Sequence, residues 1–191
     1  MHLLPIVEGD GDLEAVPELV RRVLTDHGRH DVKVCRAHKR GELPKVLSRF
    51  DDYLRAALLE EAPILWVMDY DCEECNDHLQ HTQGLRQRVA ESDSSQRVEF
   101  VFMVQEFETL FLADHETSRR VFPDISVDLK FPVNPELVRN AKGALSKARP
   151  KGFAYKPTQH QKKLTAQLDL GRLRDRSDSF RRFEAALLRL I

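Results

Sequence analysis

The chain has 191 residues, enough for one domain with a sizeable core and short for two. Hydrophobic residues make up 41% and charged residues 32%, which excludes a disordered or fibrous chain, and no apolar run reaches the roughly 20 residues of a membrane-spanning helix. The net charge of -1 conceals a split: residues 1–138 hold 16 Lys+Arg against 27 Asp+Glu, whereas residues 139–191 hold 14 against 4. An acidic body with a basic tail suits a protein that handles metal ions and a polyanion together. It equally suits a surface that neutralises itself. The opening residues Met1–Val7 do not read as a secretory leader, and three cysteines do not make a disulfide framework, so the cytoplasm is the expected compartment.

Four apolar, β-favouring runs are expected as strands: His2–Val7, Asp31–Ala37, Pro63–Met68 and Val98–Val104. Leu13, Val16, Leu19, Val20, Val23 and Leu24 recur at helical spacing after the first run. Leu43, Val46, Leu47, Phe50, Tyr53, Leu54 and Leu58 do so after the second, and Asn76–Ser92 is a more polar helical stretch after the third. Strands alternating with helices over residues 1–115 predict an α/β fold, with a mostly parallel, Rossmann-like sheet flanked by helices. Residues 116–191 read as a basic, mostly helical C-terminal extension of the same single domain. Its helices are expected near Glu136–Ala148, Thr158–Asp169 and Ser179–Leu190, the last capped from Ser177-Asp178-Ser179.

Acids fall at the ends of the predicted strands. The first runs into Glu8-Gly9-Asp10-Gly11-Asp12, the third into Asp69-Tyr70-Asp71, and the fourth into Glu106-Phe107-Glu108. In an extended segment Asp69 and Asp71 share a face, as would Glu106 and Glu108. Each cluster alone could merely cap a strand end or helix start. Three clusters on the carboxyl edge of one α/β sheet instead place several carboxylates in one crevice, where ligands sit in such folds. Crowded carboxylates repel, and a hard divalent cation with oxygen ligands, Mg²⁺ or Mn²⁺, relieves that. The arrangement that would argue against an ion is one in which lysines or arginines already pair with these acids.

Ile6-Val7-Glu8-Gly9-x-x-Asp12, Asp69-Tyr70-Asp71, Glu106-Phe107-Glu108-Thr109-Leu110-Phe111-Leu112-Ala113-Asp114, Tyr155-Lys156-Pro157-Thr158-Gln159-His160-Gln161 and Ser177-Asp178-Ser179-Phe180-Arg181-Arg182-Phe183 together resemble a family of bacterial TOPRIM-like proteins. That family is related to the TOPRIM domain of OLD-family nucleases, topoisomerases and bacterial primases. The resemblance implies metal-dependent phosphodiester chemistry, with Glu8, Asp12, Asp69, Asp71 and one of Glu106 and Glu108 as ligands of Mg²⁺ or Mn²⁺. No separate nucleophilic tyrosine domain or primase machinery is evident, so hydrolysis of nucleic acid is the leading branch; DNA is the expected partner, although the residues do not distinguish it from RNA. It further implies a separate ATPase partner, in phage defence or DNA repair, because the chain itself has no Gly-x-x-x-x-Gly-Lys-Ser/Thr phosphate loop. The alternatives are a catalytically inactive metal- or nucleic-acid-binding subunit and a phosphoesterase acting on nucleotides.

In the basic tail Lys156 is the first candidate to stabilise phosphate charge, and His160 the second, as an acid or hydrogen-bond donor. With Glu8, Asp69 and Asp71 they make up the candidate catalytic set. Arg181 and Arg182 are either phosphate contacts or a polar helix face. Cys72-x-x-Cys75-x-x-His78-x-x-His81 lacks the loop that would let two ligand pairs close a zinc tetrahedron, so structural zinc is not expected. Cys35 is expected in the core. Trp66 and the phenylalanines read as packing residues rather than a platform for bases.

Overall fold

The computed structural model describes residues 1–71, 78–92, 97–126, 128 and 130–191, and Cys72 and Cys75 lie outside these. Strand β1 (His2–Val7) pairs in parallel with β2 (Lys33–Val34) and β3 (His38–Lys39) on one side and with β4 (Ile64–Tyr70) on the other. Strand β5 (Val98–Val104) pairs in parallel with β4, with Trp66 opposite Phe100 and Asp69 opposite Met103. Parallel pairing puts the carboxyl ends of all these strands at one edge. The expected α/β architecture is therefore present, with helices over the sheet: α1 (Asp12–Asp26), α2 (Leu43–Ser48), α3 (Phe50–Leu58) and α4 (His78–Glu91) among the described residues.

Several elements differ from expectation, among them the helix expected near Glu136–Ala148, which is a 3₁₀ turn at Pro135–Leu137 followed by a separate helix over Ala141–Lys147. The strand expected over 31–37 shortens to β2 (Lys33–Val34), and a second short strand at the sheet edge, β3 (His38–Lys39), follows just after that run. The single helix expected over 43–58 is broken at Arg49 (φ -123°, ψ 20°), just after the Ser48 hydroxyl donates to the Lys45 carbonyl. Strand β4 extends beyond Met68 to Tyr70, so Asp69 lies within the ladder.

Alternation of side chains divides the core in two. Leu3, Val7, Leu65, Val67, Val101 and Met103 face one cluster, which also contains Leu19 and Val20 of α1. Leu4, Ile6, Ile64, Trp66, Met68, Tyr70, Phe100 and Phe102 face the other, against Phe50 and Leu54 of α3 and Leu85 of α4. Trp66 lies 5.4 Å from Phe50 and 5.7 Å from Phe100 between ring centroids, a packing role as expected. Cys35 is a free thiol, partly buried against the second cluster.

The first face is the one the C-terminal helices cover. These are α5 (Thr109–Ala113), α6 (His115–Val121), a 3₁₀ turn (Pro135–Leu137), α7 (Ala141–Lys147), α8 (Pro157–Thr165), α9 (Leu170–Arg176) and α10 (Asp178–Leu190). Helix α10 packs on β5 and α8 on α1, and Leu164, Leu173, Phe180, Phe183 and Leu187 share a cluster with Val101 and Met103. Helix α9 was not expected; Asp169 starts it by accepting from the Arg172 amide at 3.0 Å. The Ser177 cap is present, its Oγ accepting from the Phe180 amide at 3.1 Å and donating to Glu136 at 3.0 Å. Ser179 Oγ accepts from the Val104 amide at 3.0 Å, so this segment clips the end of β5 to α10.

Candidate functional site

The tips of β1 and β4 are tied by Glu8, whose Oε2 accepts from the Asp69 amide at 3.2 Å. Asp12 opens α1; its Oδ2 accepts from the Gly9 amide at 2.9 Å and its Oδ1 from Gln161 Nε2 at 2.6 Å. Gly11 makes that second contact possible, since a Cβ there would fall 2.0 Å from Gln161 Oε1 and 2.7 Å from Pro157 Cβ. Asp69 has odd parity in β4, so it leaves the sheet on the side of the C-terminal helices, whereas Tyr70 points to the other face and bonds His81 Nδ1 at 2.9 Å.

At the end of β5 the chain turns back. Gln105 adopts φ +66°, a left-handed backbone uncommon for a residue with a Cβ, while its amide donates to the Tyr70 carbonyl at 2.8 Å. Glu106 to Glu108 then form a turn, with the Thr109 amide on the Glu106 carbonyl at 3.0 Å, and not the extended pair that the spacing predicts. The turn also places the Phe107 amide 2.8 Å from Asp69 Oδ1. Both glutamates nevertheless reach the same place as Asp69. The Lys142 ammonium, from α7, lies 3.3 Å from Glu106 Oε1, 3.4 Å from Asp69 Oδ2 and 3.6 Å from Glu108 Oε2. The Lys142 amide donates to Glu106 Oε2 at 3.0 Å, and the Tyr155 hydroxyl donates to Glu108 Oε1 at 3.0 Å.

Charge crowding in this pocket shows in its protonation. Burial first, then Asp12, pushes Glu8 up to about 7. Burial likewise pushes Glu108 up to about 7, against the pull of Lys142, and raises Asp12 and, further, Asp69. Burial opposes the charge on Lys142, but Asp69, Glu108 and Glu106 outweigh it and hold the ammonium well above its ordinary range. Burial and then Glu108 keep the Tyr155 phenol protonated, a donor.

The structure thus brings together Glu8, Asp12, Asp69, Glu106 and Glu108, and leaves Asp71 exposed just beyond β4, where it adds a minor like-charge push on Glu8. Lys156 is exposed at the start of α8. His160 is not aimed at the acids: its Nδ1 accepts from the Lys156 amide at 2.9 Å and its ring stands edge-on to Phe122, 5.1 Å between centroids. Burial and then Arg149 lower its pKa, so it caps α8 as a neutral ring and packs beside Tyr155. Arg182 donates to Ser179 Oγ at 2.8 Å and Arg181 pairs with Asp178, both local roles. Nothing in the sequence singles out Lys142 or assigns a role to Tyr155 and Gln161. Only the parity of Asp69, which faces the tail, could have signalled that the tail closes the site.

The basic tail is in good part matched to the body. Lys162 pairs with Glu14, Arg149 with Asp124, Arg172 with Asp114, Arg174 with Asp26 and Arg189 with Glu99. For these residues the self-neutralising alternative holds.

The acid pocket meets one requirement of a divalent cation and falls short of another. Its donors are oxygen only, and Glu108 Oε2 is buried with no hydrogen-bond partner among the described residues. Against this, Lys142 already pairs with three of the acids, the arrangement that argues against an ion. Nor do any three of the acids bring ligand oxygens within 4.8 Å of one another; among the described residues the trio that does is Asp26, His27 and Glu184, where Arg174 holds both carboxylates. Five carboxylates around one ammonium nonetheless make an oxygen donor set whose chemistry fits a divalent ion, although as placed their oxygens stand too far apart to close on one.

A family model described as "Domain of unknown function (DUF4276)" matches residues 7–188. Comparison with curated proteins and with solved structures returns no match.

Proposed function

The chain belongs to the DUF4276 family, and from the geometry of its strand tips we propose that it is a TOPRIM-like, Mg²⁺- or Mn²⁺-dependent nuclease that cleaves the phosphodiesters of nucleic acid, DNA first. One observation carries this reading: Asp69, Glu106 and Glu108 converge on a single point at the carboxyl edge of a parallel sheet, with Glu8 and Asp12 beside them. Glu8, Asp12, Asp69, Glu106 and Glu108 would hold the ion, with Asp71 at the rim. A divalent ion in such a site lowers the pKa of a bound water and stabilises charge on the scissile phosphate.

The chain's own residues supply orientation and counter-charge. Gln161 and the Gly9 amide fix both oxygens of Asp12, the Phe107 amide fixes Asp69, and Tyr155 fixes Glu108, as outer partners do for ligating carboxylates. Lys142, rather than Lys156, is the cation placed beside the acids and would supply counter-charge to a bound phosphate. Exposed Lys156 grips a flanking phosphate without reading sequence. Work beside a separate ATPase, in phage defence or DNA repair within the cytoplasm, extends the proposal on the family resemblance alone.

The test is incubation with plasmid, single-stranded DNA and RNA in Mn²⁺ or chelator, with Asp69→Asn as the variant. Asparagine keeps the acceptor for the Phe107 amide, so that contact is retained while the charge goes, and circular dichroism checks that the variant is folded. Loss of outer partners costs 10–100-fold in metal sites, so removing a ligand should cost at least about 100-fold in cleavage. Cleavage that persists in chelator or in Asp69→Asn overturns the proposal. Lys142, already paired with three acids, favours a second reading as a binding module; tight DNA binding without turnover would select it. Activity confined to mononucleotides would select a phosphoesterase.

A further inference from the structure

Lys142 occupies the place in the site that a cation would take. Its Nζ stands at the meeting point of Asp69 Oδ2, Glu106 Oε1 and Glu108 Oε2, at 3.3 to 3.6 Å from each. Those three carboxylates come from two different strand tips, yet they aim at this one atom. The surroundings are asymmetric: Glu108 is fully buried, Asp69 and Glu106 are nearly so, and the Lys142 side chain is 40% exposed. The partly exposed Lys142 side chain therefore covers the pocket on its solvent side, with water open to it on its outer flank. The backbone of Lys142 is anchored separately, by its amide on Glu106 Oε2, so the side chain can swing while α7 stays in place.

The acids behind the plug are held by other partners. Tyr155 bonds Glu108 Oε1, the Phe107 amide bonds Asp69 Oδ1, and Gln161 and Gly9 bond Asp12. The oxygen that faces Lys142, Glu108 Oε2, is buried and has no hydrogen bond among the described residues. A buried carboxylate oxygen without a donor is costly, and a cation offsets that cost. The contacts at 3.3 to 3.6 Å are long for charge-assisted hydrogen bonds, which run to about 2.7–2.9 Å, and far outside the roughly 2.1 Å of Mg²⁺ to oxygen. The ammonium compensates charge without satisfying any one partner tightly.

We propose that Lys142 is the resident counter-ion of the metal-free site and that a divalent cation displaces it. Without metal, Lys142 holds Asp69, Glu106 and Glu108 together. With metal, the same carboxylates draw in on the ion, and the Lys142 side chain swings to the rim, where a phosphate would lie. This rests on the metal reading of the preceding section and adds to it a competition within the chain.

The experiment is titration of the full-length protein with MnCl₂, following free Mn²⁺ by electron paramagnetic resonance, alongside thermal unfolding in chelator and in Mn²⁺. Wild type, Lys142→Met and Lys142→Arg are compared. Removing a competing charge beside three carboxylates should tighten Mn²⁺ binding at least about tenfold in Lys142→Met, whereas Lys142→Arg, still cationic, should bind no tighter than wild type. Lys142→Met should also melt lower than wild type in chelator and gain more from Mn²⁺. If Lys142→Met folds only when Mn²⁺ is present, the ion has taken over the role of the ammonium and the proposal stands. If it fails to fold even with Mn²⁺, the ion does not substitute for the ammonium and the proposal falls. Binding in wild type that is equal or weaker in Lys142→Met overturns the displacement and leaves the metal reading intact. Absence of Mn²⁺ binding in every form overturns both.

Discussion

Glu108 joins the two functions of the site, because the same carboxylate is buried in the core and faces the Lys142 ammonium. Its pKa, pushed up by burial to about 7, makes stability depend on pH in a defined direction. Between an ordinary carboxyl value of about 4.5 and about 7, the folded state keeps a proton that the unfolded state has released. The contribution of Glu108 to stability is therefore complete at the acid end of that window and is lost as pH rises through it. Glu8 acts in the same sense. Chemical denaturation in chelator from about pH 5 to pH 7 should show this fall, and Glu108→Gln, which cannot ionise, should flatten it. An unchanged slope in the variant would refute the assignment. Mn²⁺ affinity should run the opposite way and rise over the same interval, since ligating carboxylates must first lose their protons.

At the scale of elements, the junction of α1 and α8 controls Asp12. Arg22 of α1 donates to the Thr165 carbonyl at 2.6 Å and also to the Leu168 carbonyl, while Gln161 of α8 reaches back to Asp12 across Gly11. Gly11→Ala would drive a Cβ into Gln161 and Pro157, so a loss of about 1–3 kcal/mol in unfolding free energy is expected. Mn²⁺ binding should weaken with it, as Gln161 lets go of Asp12; a variant as stable as wild type with unaltered binding would show the junction to be loose. The sequence made the strands and α1 legible because their apolar periods are strong, and the acids at the strand ends followed from that. Glu106 and Glu108 both reach the Lys142 ammonium, but not as the extended pair that the spacing predicts: the left-handed Gln105 and the turn after it bring them together, and no spacing rule reports a positive φ. Lys142 was illegible, because a lysine in a short basic helix carries no local sign of a partner 73 residues away.

Across the whole molecule the acidic body and the basic tail close one pocket and share the first of the two core clusters. Tyr155, Gln161 and Lys142 come from the tail, and each engages a carboxylate of the body. Leu164, Leu173, Phe180, Phe183 and Leu187 cover the same sheet face that Asp69 leaves. A fragment ending at residue 138 should therefore lack a cooperative thermal transition in circular dichroism and run expanded on gel filtration. A sharp transition in that fragment would separate the two parts. Strand β4 imposes a further constraint. Trp66, Met68 and Tyr70 point to one side, and Leu65, Val67 and Asp69 to the other. Deleting one residue at the start of β4, ahead of Trp66, would transpose the two sides, sending the indole toward the acids and the carboxylate into the aromatic layer. Across these seven positions individual letters can drift over evolution, but the reading frame of the strand cannot shift by one without loss of both packing and chemistry.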